Sequence, residues 1–149
     1  MNSTGIRAFD STVQTTNVWL HELAGRLGSQ DMQRAYHALT AVLHALRDRL
    51  PVDQAVALGA QLPMLVRGFY YEGYHPHDKP IKERKKEEFL AHIASAFRDD
   101  PEMDAEKIAR AAFEVIAKHV SPGEVKHVKV TLPEEIRSLW SEETHAIWL

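Results

Sequence analysis

A chain of 149 residues with 44% hydrophobic and 26% charged residues has the size and balance of one globular domain, large enough to bury its own core. It contains no cysteine, which excludes thiol nucleophiles, disulfide frameworks, iron–sulfur clusters and cysteine zinc sites. A formal charge of -3 gives no electrostatic footprint for nucleic acid or an anionic membrane, and the chain holds no apolar run of membrane-spanning length (about 18 residues).

Met1 to Asp10 has no apolar h-region, so the expected compartment is the cytoplasm. Phe9, Val13, Thr16, Leu20, Leu23 and Leu27 alternate steps of four and three, which predicts one helical face stopped at Gly28. Ser29 or Asp31 can cap a second long helix. It carries Ala35, Ala38, Leu39, Val42, Leu46 and Leu50 and closes at Pro51. Two short helices follow, one holding Ala55 and Leu58, the other opened by Pro63. The stretch from Gly73 to Pro80 is a long break in periodicity and reads as a loop.

Beyond the loop the pattern repeats. Gln61-Leu62-Pro63 through Tyr70 returns 70 residues later as Thr131-Leu132-Pro133 through Trp140. The same offset pairs Trp19, Leu20, Leu23 and Leu27 with Phe89, Leu90, Ile93 and Phe97. It also pairs Leu43, Leu46 and Leu50 with Phe113, Ile116 and Val120, and Ala55 and Leu58 with Val125 and Val128. Matched positions are apolar while those between them differ, so what repeats is a pattern of burial. In the second unit Asp100-Pro101 is expected to open the long helix, Ser121 to Glu124 forms a capping box, and Glu134 and Glu135 sit at a positive helix end. Lys126 to Thr131 alternates like a strand, but its counterpart Ala57-Leu58-Gly59-Ala60 has no strand character, so helix is expected there too.

The expected architecture is all-α. It is a tandem duplication of a four-helix unit, two helices long and two short, related by a pseudo-two-fold around a shared core. The units span 10–72 and 80–142, with a connector at 73–79 and a tail at 143–149.

The repeated Leu-Pro element, the run Arg67-Gly68-Phe69-Tyr70-Tyr71-Glu72-Gly73-Tyr74, the stretch Leu43 to Leu50, Glu88-Phe89-Leu90 and the ending Leu132 to Trp140 occur in order. Over almost its whole length the chain resembles a bacterial family catalogued as domain of unknown function 2267. The resemblance implies a small helical bacterial protein and carries over no activity, substrate or catalytic residue. Ser141 to Leu149 departs from that pattern in being apolar at its end.

Chemistry-bearing residues are sparse. Glu72 with His75 recurs as Glu142 with His145, the spacing from which helical bundles build dinuclear carboxylate sites. A third such pair is Glu124 with His127, and the two further glutamates such a site needs have no symmetric candidates, since Glu22 falls on His92. No metal site and no cofactor is therefore assigned. Lys82 to Glu88 interleaves four basic and three acidic residues, which reads as a solvated helix start. No nucleophile elbow, phosphate-cradling loop or His-Glu-x-x-His helix is present, so no catalytic residue is assigned and the balance leans away from an enzyme.

Arg67 and Arg137 occupy matched sites. They are candidate anion contacts, although arginines that cap carbonyls with their heads are the plainer expectation. Three of the four tyrosines crowd into Tyr70, Tyr71 and Tyr74, which the repeat does not explain. Tyr71, Glu72, Tyr74, His75 and His77 are therefore the candidate binding surface, against the alternative that the tyrosines staple the connector to the body. The expected function is a protein-interaction module, with an unknown protein partner or self-association and neither nucleic acid nor membrane as partner. The alternative is a binder of an apolar small molecule between the two units, with a metal-dependent enzyme third.

Overall fold

A computed structural model describes residues 3–141; the tail expected at 143–149 and the Glu142–His145 pair lie outside them. Among the described residues the chain forms α-helices and no strand: α1 Arg7–Arg26, α2 Met32–Arg49, α3 Val52–Ala60, α4 Met64–Tyr71, α5 Lys86–Ala94, α6 Ala105–His119, α7 Pro122–Thr131 and α8 Glu134–Arg137. Short 3₁₀ turns at Pro76–Asp78 and Ser95–Phe97 complete them.

The local signals act largely as their chemistry demands. Gly28 adopts φ +68 after α1, and its N–H and that of Ser29 return to the carbonyls of Gly25 and Ala24 at 3.1 and 2.9 Å, closing the helix end. Of the two candidate caps for α2, Asp31 accepts from the Arg34 N–H at 3.2 Å, while Ser29 accepts from Asp31. Ser121 caps α7 by accepting from the Glu124 N–H at 3.2 Å. The reciprocal half of the expected box is absent, because the Ser121 N–H donates to the Gln61 side chain and the Glu124 carboxylate accepts from Gln54. Within α7, Val125 and Val128 are buried one turn apart and Val130 is 61% exposed, so helical period overrides the local alternation.

Three expectations need correction. Asp100-Pro101 does not open α6; Asp104 does, accepting from the Lys107 N–H at 3.2 Å, while Asp100 pairs with Arg34 of α2 and is held in the preceding turn. Lys82 to Lys85 is not helical, and α5 begins only at Lys86, since the backbone on either side of Lys82 is bonded to α2, the Ile81 N–H to the Asp48 carbonyl and the Glu83 carbonyl to Arg49. The irregular stretch thus runs through Lys85 instead of ending at Lys79, and α5 is a short helix of 9 residues where a long one was expected. Finally, the apolar face of α1 extends beyond the core: Thr16 is buried, whereas Phe9 and Val13 are 47% and 43% exposed.

One continuous core joins the helices. Trp19, Leu23, Leu43, Leu46, Val66, Phe113, Ile116 and Ile136 are all at most 1% exposed. Leu27 and Leu90 pack against this core only partly buried. α2 and α6 run through the centre and touch each other. α2 also packs on α1, α4 and α5, and α6 on α1 and α5. Phe113 and Trp140 stack at 4.2 Å with planes 6° apart, which ties the chain just after α8 to α6.

Candidate functional site

The tyrosine corner is built around an arginine. Arg47 lies four residues after Leu43 and three before Leu50, so the helical period places it on the apolar face of α2, where it is 5% exposed. Its guanidinium donates to the Tyr70 and Glu72 carbonyls, both at 2.7 Å, and to the Asp48 carboxylate at 3.0 Å. These bonds satisfy the carbonyls at the end of α4, and Gly73 at φ +77 then turns the chain. The Tyr74 ring is covered by the same guanidinium at 5.3 Å. Tyr70 is buried with its hydroxyl donating to the Ala55 carbonyl at 2.6 Å, and burial pushes the phenol well above its usual range.

Tyr71 packs edge-on against Tyr70 at 4.9 Å, and Tyr74 lies 6.2 Å from Tyr71. Gly59 leaves the space for the Tyr71 ring, since a Cβ there would collide with its hydroxyl. Both side chains are half-buried against the core, whereas Glu72, His75 and His77 are exposed. The sequence-expected surface is therefore divided, with its aromatic members turned inward. Tyr71→Ser is expected to lower stability by roughly 1 to 2 kcal/mol, read as a fall in denaturation midpoint. An unchanged midpoint would show that the ring does not hold the corner together.

Arg67 donates from Nε to the Gly59 carbonyl and from Nη2 to that of Leu62, at 2.9 and 2.8 Å. Arg137 does the same to Lys129 and Leu132, at 2.9 Å each. Both guanidinium groups are thus engaged by the carbonyls of the preceding helix end. No three His, Asp or Glu side chains converge as a metal cluster among the described residues, and no helix there is long and apolar enough to cross a membrane.

Two other places stand out. A cleft of about 270 Å³ lies between α2, the connector and α5, with Ile136 of α8 at its wall. Ala41, His44, Ala45 and Asp48 share the face of α2 that lines it. The Ile81 N–H donates to the Asp48 carbonyl at 2.8 Å and Arg49 Nε to the Glu83 carbonyl at 2.6 Å, which pins the connector across the cleft. His44 Nε2 donates to the Phe69 carbonyl at 2.6 Å, and burial lowers its pKa below the usual imidazole value.

The second place is an apolar face where α4 starts on α1. The Leu65 N–H donates to the Thr12 hydroxyl at 2.9 Å, and Phe9 and Val13 flank Thr12 on the same side of α1. Beside them Met64 and Leu65 are 51% and 43% exposed. Gly68 shares their outer side of α4, and its missing Cβ would point into open space. Neither place is announced by a motif. The apolar face had a signal in the way the α1 stripe runs on to Phe9, and the arginines had one in their position beside Leu50.

No curated protein matches the chain. The model of the family described as an uncharacterized conserved protein (DUF2267) matches residues 16–139, which takes in α2 to α8 and all of α1 from Thr16, the buried part. The repeated Leu-Pro helices, the buried Arg47 corner and the central α2–α6 pair all fall inside that match, and the chain belongs to the DUF2267 family.

Proposed function

We propose that this protein is a non-enzymatic interaction module that docks a helix of a partner protein on the face formed by α1 and the start of α4. The observation that carries this reading is the cluster of exposed apolar side chains, Phe9, Val13, Met64 and Leu65, gathered where two helices meet. Gly68 supports it from a second direction. A glycine inside an exposed helix weakens that helix, and no packing among the described residues requires it, whereas close approach of another backbone would. Glu72, His75 and His77 belong to the proposal as a polar edge at the far end of α4.

In the same reading the body is a duplicated scaffold with units 10–72 and 80–142. Under a shift of 70 residues the packing of α2 on α5 becomes that of α6 on α1, and α2–α6 and α3–α7 pair each helix with its own counterpart. Gln54 donates to Glu124, its counterpart 70 residues on, and the carbonyl bonds of Arg67 and Arg137 match one for one. An approximate two-fold axis through these contacts accounts for all of them.

Gly68→Ala tests the docking face because its two effects have opposite signs. The variant is expected to be more stable by up to about 1 kcal/mol in denaturant melts. Its association, read as self-association by light scattering or as capture of a partner from cell extract, is expected to fall, as is that of Phe9→Asp. Association untouched by both changes would place the partner surface elsewhere.

A further inference from the structure

The cleft between α2 and α5 has a counterpart under the proposed 70-residue correspondence, between α6 and α1. In that counterpart the indole of Trp19 is buried and the polar groups around it are paired, while an open groove lies further along the same two helices beside Arg26, Ala111 and Glu114. Trp19 stacks on His119 at 4.9 Å with planes 18° apart, and the Glu22 carboxylate accepts from His119 at 2.7 Å and from Lys118 at 2.9 Å. Burial pushes the Glu22 pKa up, but the hydrogen bonds from Lys118 and His119 more than offset it, so the carboxyl pKa lies below its usual value.

In the cleft the three central positions are exchanged. Phe89 stands for Trp19, Arg49 for His119 and His92 for Glu22. A smaller ring therefore leaves space open, and the residue that would supply the anion is an imidazole. Both nearby carboxylates are committed: Glu83 to His92 at 2.6 Å and Asp48 to Arg47 at 3.0 Å. Arg49 makes one bond, from Nε to a backbone carbonyl, and no carboxylate among the described residues comes within ion-pair distance of it. Arg84 adds a second positive charge nearby, and Glu83, engaged with His92, acts on Arg49 only from beyond ion-pair distance.

We infer that this cleft is a binding site for a small carboxylate-bearing molecule with a compact apolar body. Its carboxylate pairs with the Arg49 guanidinium, standing where Glu22 stands in the other half, and its body lies on Phe89, Ile81 and Ile136 in the space that an indole fills there. The comparison of halves rests on the duplication reading, while the open volume and the unpaired guanidinium stand without it. The charge on the walls makes the ligand amphipathic instead of wholly apolar. A volume of about 270 Å³ limits it to metabolite size.

The test is an NMR titration of the isotope-labelled full chain with benzoate, with benzamide of the same shape but no charge, and with inorganic phosphate, which has charge but no apolar body. Benzoate is expected to shift the Arg49 Nε–H and the Ile81 and Ile136 methyl signals saturably. Benzamide and phosphate should each bind about tenfold more weakly or worse, the scale of one charge-assisted pair or of the lost apolar contact. Arg49→Gln should weaken benzoate to the benzamide level. Because that change also removes the bond to the connector, Ala45→Leu provides a second variant that keeps the arginine and fills the cleft, and it too should abolish the shifts. Absence of saturation by about 10 mM benzoate, equal binding of benzamide or phosphate, or unchanged binding in Ala45→Leu would each overturn the assignment. Partner capture plays no part in these readouts, so the result is independent of the α1–α4 docking face.

Discussion

Leu46→Ala and Ile116→Ala are each expected to destabilise the protein by about 2 to 5 kcal/mol. Both side chains are 0% exposed, and they hold matched positions on α2 and α6, the two helices at the centre of the core. Each truncation removes the transfer free energy of the lost methyl groups and leaves a cavity that surrounding helices close only in part. α2 is packed on α1, α4, α5 and α6, so it cannot shift toward one neighbour without parting from another. Urea unfolding should show a lower midpoint with an unchanged slope. Val130→Ala, at a side chain 61% exposed, should change stability by less than about 0.5 kcal/mol. A comparably small loss at Leu46 or Ile116 would mean that α2 or α6 is rotated from the position described.

Arg47→Ala is expected to cost about 3 kcal/mol, more than an arginine on a helix surface would. Three losses combine. The Tyr70 and Glu72 carbonyls lose their charge-assisted donors, the Asp48 carboxylate loses its partner, and the arginine stem leaves a gap beside Tyr74. Asp48 is 26% exposed and can recover water, so the carbonyls at the end of α4 carry most of the penalty. Arg47→Lys should recover less than half of the loss, since a single ammonium cannot reproduce the planar fork that reaches both carbonyls and Asp48 at once. Full rescue by lysine would show that charge alone matters at this corner. The same variants should loosen the connector, visible as faster amide exchange from Gly73 to Lys79.

The family match carries no activity with it, so function at both proposed places rests on this chain's own geometry. The docking face and the cleft lie on different elements, one on α1 and α4 and the other on α2, the connector and α5. Gly68→Ala and Ala45→Leu therefore act on one place each and can be read separately.

What the sequence by itself determined is what local chemistry encodes. Periodicity of 3.6 residues placed Leu23, Leu43, Leu46, Phe113 and Ile116 in the core. Asp31, Gly28 and Ser121 marked helix ends through side-chain or backbone bonds that reach only a few residues. The repeat even carried α7 past its strand-like alternation, because Ala57 to Ala60 had no such character. The periodic and capping signals depend on neighbours within about two turns, where sequence distance and spatial distance agree, and the repeat only carries such a local pattern to a second place in the chain.

Only the tertiary structure decided which polar groups meet. Asp100 looked like a helix cap until Arg34, 66 residues away, drew it into a turn and left Asp104 to open α6. Tyr71 and Tyr74 looked like an outward edge, but the void above Gly59 and the buried Arg47 turned them inward. The unpaired state of Arg49 is visible only once Glu83 is found on His92 and Asp48 on Arg47. Apolar burial is non-directional and can be read from a pattern, whereas a hydrogen bond or ion pair needs its partner at a set distance, and the folded chain alone brings those partners together.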